Sequence, residues 1–314
     1  MSVLEAIGRT PLVELRRFAP SGGARVVVKL EYANPTGSMK DRFALATIAA
    51  AEADGRLRTG GTVVEYTGGT TGVSLAFVAA AKGYPCRIVF SDAFSPDKGQ
   101  MMEALGAEVT VVPSGGGGIT ERVIKEMIER ARELSARPGH WWCDQLANRD
   151  GLVGYLPMGE EIWQQSGGTV DAFVHVVGTA HSIHGVTRAL RGHDARIRVV
   201  AVEPAESAVL AGGPGGSHGI DGIGIGFTPP LWERDQVDEL MAVSTADAKA
   251  MARRLAREEG IFTGTSSGAN VVAALRVAER LGRGRTVATL AVDSGLRYLG
   301  TDVFRPGTTA PGPR

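Results

Sequence analysis

Apolar residues fall in short runs along this chain, and most runs are followed by a glycine-bearing turn and then by a stretch with helical spacing. The runs at 26–30, 62–66, 87–90, 108–112, 172–177, 199–203 and 286–292 predict strands, the first of them buried. Helices are predicted at 43–51, 73–82, 96–105, 120–135, 183–191, 246–259 and 269–281, with Gly83 and Gly106 standing where a helix must stop. Within 120–135 the apolar positions Ile124, Met127, Ile128, Ala131 and Leu134 share one face, which is core patterning rather than a partner surface. Strands alternating with helices predict an α/β fold of mostly parallel sheets with helices on both faces. After Gly139 the pattern restarts, which predicts two lobes. Ligands of such sheets gather at the carboxyl ends of strands, where the glycine turns of this chain fall, so a site between the lobes is expected.

Composition removes several function classes. Lys+Arg and Asp+Glu are both 34, and the arginines are scattered among acids, so no basic footprint for nucleic acid exists. The N-terminus lacks a charged-then-apolar leader, and no apolar run is long enough to span a bilayer. A cytoplasmic protein without a membrane partner is therefore expected. Cys86 and Cys143 lie in apolar, strand-like contexts and read as buried free thiols, and no metal-ligand spacing appears. The 314 residues suit two lobes rather than one small core. The stretch 305–314, rich in Pro, Gly and Thr, is expected to be disordered.

The most specific chemistry sits in Asn34-Pro35-Thr36-Gly37-Ser38-Met39-Lys40-Asp41-Arg42. Pro35 and Gly37 set a turn after the 26–30 strand, and Ser38 is placed to cap the helix that Lys40 opens. The positive end of a helix dipole and the neighbouring Arg42 both disfavour the ammonium form, so the pKa of Lys40 is expected to fall. A deprotonated lysine suits Schiff-base chemistry with a carbonyl. Two further turns lead into helices and offer anion sites made of backbone N–H groups. They are Gly178-Thr179-Ala180-His181-Ser182 and Thr67-Gly68-Gly69-Thr70-Thr71.

The lysine segment resembles that of the cysteine synthase (O-acetylserine sulfhydrylase) and cystathionine β-synthase family. The resemblance runs from Ile7-Gly8-Arg9-Thr10-Pro11-Leu12 through Thr67–Gly72, Gly178–Ser182, Glu203-Pro204, Gly222–Phe227 and Gly264–Gly268 to 293–299. It implies a fold type II pyridoxal phosphate enzyme, similar to the tryptophan synthase β-subunit. A smaller mobile lobe would take residues 36–146, and a larger cofactor-binding lobe 1–35 and 147–304. Pyridoxal 5′-phosphate would be bound covalently by Lys40, the catalytic residue. Gly178, Thr179, Ala180, His181 and Ser182 would hold its phosphate, and Ser294 would meet its pyridine nitrogen. Thr70 would lie by the 3′-oxygen, and backbone at Gly224 would pass close to the ring. Thr67, Gly68, Gly69 and Thr71 would bind the substrate carboxylate, with Gln145 nearby.

Several positions depart from the family. Thr-Gly-Gly-Thr-Thr stands where the family usually has Thr-Ser-Gly-Asn-Thr, and Gly-Thr-Ala-His-Ser where it has Gly-Thr-Gly-Gly-Thr. His181 either contacts the phosphate or points to solvent, while His184 reads as a helix-face residue. A neutral Ser294 makes the ring a weaker electron sink, which favours loss of a β-leaving group to an aminoacrylate; Asp293 as the partner would reverse this. The implied reaction is β-replacement on an activated L-serine such as O-acetylserine, with sulfide, to give L-cysteine. Alternatives are another nucleophile, a serine or threonine dehydratase, or a weakly active regulatory partner that binds the cofactor. No haem-binding or regulatory extension is expected. The partners implied are the amino-acid substrate, sulfide and a second copy of the chain in a homodimer.

Overall fold

In a computed structural model the alternation of strands and helices resolves into two separate sheets, one parallel and one parallel but for an edge strand. Residues 2–18, 21–116 and 120–305 are described, so the expected tail lies, from residue 306 onward, outside them. The chain divides into two units, Met1–Ile7 with Lys40–Gly154, and Gly8–Met39 with Tyr155–Arg314.

The first unit carries the strands β3 (Thr62–Tyr66), β4 (Cys86–Ser91), β5 (Glu108–Val112) and β6 (His140–Trp142). Their order is β5-β4-β3-β6, all parallel. Its helices are α1 (Lys40–Ala53), α2 (Thr70–Lys82), α3 (Pro96–Ala104) and α4 (Glu121–Ser135). Every residue of β3 is buried, as a strand covered on both faces requires. The stripe predicted on α4 faces that sheet: Met127, Ala131 and Leu134 are buried in one cluster with Val64, Val89 and Val112, and Ile124 and Ile128 pack against it.

The second unit carries β1 (Leu12–Glu14), β2 (Arg25–Leu30), β7 (Ala172–Val176), β8 (Arg198–Pro204), β9 (Glu239–Val243) and β10 (Thr286–Ala291). The order is β1-β2-β10-β7-β8-β9, parallel except for the edge pair β1–β2. The helices are α5 (Leu156–Gln165), α6 (His181–His193), α7 (Thr245–Arg254) and α8 (Thr265–Leu281). The predicted helix 246–259 is interrupted: α7 gives way to a π-turn at Leu255–Glu259 that ends on Gly260 at φ 71°. Gly268 lets α8 approach α7, since a Cβ there would lie 2.1 Å from Ala248 O.

Unit boundaries differ from the 36–146 expectation for local reasons. The short 3-10 helix Val3–Ala6 packs on α2, so the first residues group with the first unit and not with 8–39. Residues 147–154 stay with it because Gly154 fits against α1, a Cβ there meeting Arg42 O at 2.4 Å. Met39 belongs to the second unit through its N–H, which donates to Val292 O at 3.0 Å. Among the described residues no helix is long and apolar enough to cross a membrane, and Cys86 and Cys143 are free, buried thiols as expected.

Candidate active site

Lys40 is the first residue of α1, directly after the segment Gly37–Met39, which is bonded into the second unit. Gly37 adopts φ 78°, and a Cβ on it would lie 3.2 Å from Ser294 Cβ, so the turn needs glycine for both conformation and space. Ser38 is buried and pairs with Asp293 in an antiparallel bridge. The Lys40 ammonium is pushed down to about 8. The direction is the one expected, and its cause is loss of water around the buried amine. Beside it, buried Asp41 accepts a 2.6 Å hydrogen bond from Ser74 Oγ, which ties the start of α1 to α2.

The turn 67–71 begins α2 earlier than its sequence suggests, at Thr70. Gly69, the N-cap, has φ 157° and lies against Lys98, so no side chain is tolerated there. The N–H groups of Thr70, Thr71 and Gly72 are left without helical acceptors, which makes a site for a carboxylate. Thr67 Oγ1 accepts from the Gly69 N–H at 3.1 Å and keeps its own proton. Thr71, expected to donate to the substrate, instead donates to Gln145 Oε1 at 2.7 Å. Gln145 Nε2 in turn donates to Tyr66 O at 3.0 Å. The two predicted positions are therefore brought together, with Gln145 presenting the group nearest to Thr71.

Three contributors in this unit were missed from sequence. Glu65, fully buried in β3, accepts N–H bonds from Tyr66 at 2.8 Å, from Gln145 at 2.9 Å and from the Trp142 indole at 3.2 Å. Burial pushes its carboxyl up to about 8. A charged residue inside an apolar strand was the available signal. Phe94 fills the space over Gly68, where a Cβ would meet its ring at 2.5 Å, and buried Lys98 flanks Gly69. Neither carried a sequence signal.

In the second unit, β7 runs into Gly178, where a Cβ would lie 2.5 Å from Gly222 O. The glycine run at 222–226 thus passes against this turn, and the Gly224 N–H donates to Val177 O at 3.3 Å. Ala180 is held at φ 72°, a left-handed conformation that costs a residue with a side chain roughly 1 kcal/mol. It lets α6 start at His181, with the first-turn N–H groups unpaired within the helix. His181 is buried rather than solvent-facing, and its Nδ1 lies 2.8 Å from Thr179 Oγ1. Ser182 Oγ lies 2.8 Å from His175 Nε2. His184, read as a helix-face residue, is buried beneath Trp232 and accepts from the Glu233 N–H at 3.1 Å.

Ser294 follows β10. Its N–H donates to Gly37 O at 2.9 Å, and its Oγ accepts from the Leu296 N–H at 3.3 Å, so the hydroxyl proton remains available. Asp293 Oδ2 accepts from Tyr298 OH at 2.8 Å. These residues fit the expected cofactor in kind: an amine of lowered pKa for its aldehyde, a helix start with hydroxyls for its phosphate, and a neutral donor for its ring nitrogen.

Known proteins agree with that fit. The family described as pyridoxal-phosphate dependent enzyme matches residues 3–293. A cysteine synthase of Staphylococcus aureus (strain Mu50 / ATCC 700699) is 40% identical over 305 residues, covering 96% of each chain. The crystal structure of O-acetyl serine sulfhydrylase isoform 3 from Entamoeba histolytica superposes with TM-score 0.91 at 38% identity, over 98% of this chain and 92% of that one. An O-acetylserine dependent cystathionine β-synthase from Helicobacter pylori gives TM-score 0.89 at 34% identity, over 97% of this chain and 98% of that one.

Proposed function

The chain belongs to the pyridoxal-phosphate dependent enzyme family, and from that premise we propose that it makes L-cysteine by replacing the acetate of O-acetyl-L-serine with sulfide. The observation that carries this reading is the full-length similarity to cysteine synthases. When bound, pyridoxal 5′-phosphate supplies an aldehyde that condenses with amines and a ring that draws electrons from bonds at the α-carbon.

The chain's own residues divide the remaining work. Lys40 Nζ would hold the cofactor through its aldehyde, and as a free amine it takes the substrate α-proton and returns it. A pKa of about 8 leaves roughly a tenth of the amine unprotonated at pH 7 without other help. The N–H groups at the start of α2, with Thr67 Oγ1, bind the substrate carboxylate, and Gln145 steadies that turn through Thr71. Phe94 presents an apolar ring over Gly68. The turn from Gly178 into the start of α6 at His181 would hold the phosphate, and Ser294 Oγ, which only accepts from the Leu296 N–H, would donate to the ring nitrogen. A neutral donor there leaves the ring a modest electron sink, which suits departure of a β-substituent.

The same proposal makes the enzyme a cytoplasmic homodimer. Two buried free thiols suit a reducing compartment, and size-exclusion chromatography reads the oligomer. Purified protein with O-acetylserine and sulfide should yield L-cysteine, and Lys40→Ala should yield none. Pyruvate formed without cysteine would replace this reading with a dehydratase.

A further inference from the structure

Beneath the turn that opens α6 runs a buried chain of hydrogen bonds that substrate binding does not explain. Asn270 on α8 is fully buried; its Oδ1 accepts the Val176 N–H at 2.8 Å, and its Nδ2 donates to Leu290 O at 2.9 Å. Only an amide oxygen accepts the first bond and only an amide nitrogen gives the second, so the orientation of the side chain is determined. The same Nδ2 lies 3.2 Å from His175 Nδ1. An amide nitrogen offers no lone pair, so Nδ1 accepts there and carries no proton. The proton of the neutral ring is then on Nε2, which lies 2.8 Å from Ser182 Oγ. Ser182 is the acceptor in that bond, and its own hydrogen is left to be given elsewhere. His175 is fully buried, so water does not compete for the ring.

Ser182 is the second residue of α6, and among the described residues His175 is the only side-chain partner of its hydroxyl. We infer that Asn270 and His175 are positioning residues that set Ser182 as a hydrogen-bond donor toward a phosphate seated at the start of α6. This rests on reading residues 178–182 as the phosphate cradle. At the second position of a helix no carbonyl of a preceding helical turn is there to take the serine hydrogen. A phosphate offers acceptors only, so a hydroxyl already committed to donating loses less freedom on binding.

Two measurements decide it. Nitrogen-15 NMR of the full chain, with the His175 signals identified by their loss in His175→Leu, should show the proton on Nε2 and a bare Nδ1. The opposite tautomer, or a doubly protonated ring at pH 7.5, overturns the relay in the native protein without any variant having to fold. The second measurement titrates the full-length chain with pyridoxal 5′-phosphate and, separately, with pyridoxal. Ser182→Ala and His175→Leu should each weaken the phosphate ester about tenfold, and the double variant no more than Ser182→Ala alone. Affinity for pyridoxal should hold within about twofold throughout, whereas a merely structural loss would move both ligands. Full additivity of the two losses, with Ser182→Ala still weak, leaves the cradle standing and refutes the relay. A Ser182→Ala chain that binds the ester as tightly as native refutes the cradle and the relay together.

Discussion

Adding a β-carbon at Gly68 tests whether Phe94 has taken the room of a side chain in the carboxylate-binding turn. An ideal Cβ there would lie 2.5 Å from Phe94 Cε1, 2.8 Å from Cζ and 3.0 Å from Cδ1. Carbon atoms rest about 3.5–4.0 Å apart, so the ring would have to retreat by about 1 Å. It has little freedom to do so, because its ring lies 5.6 Å from the Phe90 ring at a 38° tilt and packs against the core formed by β3, β4, β5 and α4. Gly68 is not in the left-handed region, so the cost is steric alone. Overpacking of this kind costs roughly 1–3 kcal/mol. Gly68→Ser should therefore lower the urea unfolding free energy by about 2 kcal/mol and raise KM for O-acetylserine as the turn shifts. With Phe94→Ala the obstacle is gone, and the same serine should cost less than about 0.5 kcal/mol, a coupling of about 1.5 kcal/mol across the double-mutant cycle. A Gly68→Ser protein as stable as native, or one whose loss is the same with and without Phe94, would refute the steric reasoning.

Other consequences are open to simpler assays. Thr71→Val keeps the shape of the side chain but removes its 2.7 Å bond to Gln145; steady-state kinetics should show KM for O-acetylserine rising about fivefold to tenfold, and an unchanged KM would contradict the role given to Gln145. Glu65, pushed up to about 8, stabilises the fold fully below the ordinary carboxylate range and loses that contribution as pH rises through 8. Urea unfolding should accordingly weaken by up to about 4 kcal/mol between pH 5 and pH 8.5, and the slope should flatten in Glu65→Gln; equal slopes would count against it. Burial pushes the Cys86 thiol up to about 12 and Cys143 well above its ordinary value, so a disulfide reagent at pH 8 should label neither until the protein is unfolded.

Much of the fold was legible because its signals are local. The buried strands β3, β4, β7, β8 and β10 are mostly apolar runs, β5 is a half-exposed edge strand with the same residue types, and the helices between them carry apolar stripes and glycine stops. The elements missed from the pattern are short or lie at edges. β1 and β6 span only Leu12–Glu14 and His140–Trp142, and β9 is a half-exposed edge strand whose pairing with β8 does what its own pattern does not. α5 follows a 3-10 turn, and its proline in the first turn was the cue that went unused. Unit boundaries shifted for the same kind of reason: Val3–Ala6 joins α2 by packing, which no spacing announces.

By itself the sequence determined which backbone positions turn, which runs are buried, and that a lysine opens the helix after the first long strand, since turn geometry and periodicity are properties of neighbouring residues. Only the tertiary structure decided what lowers the Lys40 pKa, that Thr71 donates to Gln145, that Phe94 occupies the space over Gly68, and that His175 Nε2 lies within hydrogen-bond distance of Ser182 Oγ. Each of these depends on desolvation or on a contact set by how strands and helices pack, with Thr71 and Gln145 74 residues apart and His175 and Asn270 95. A hydrogen bond between groups that distant in the chain has no periodicity to betray it; it exists because packing leaves each buried donor one acceptor within reach.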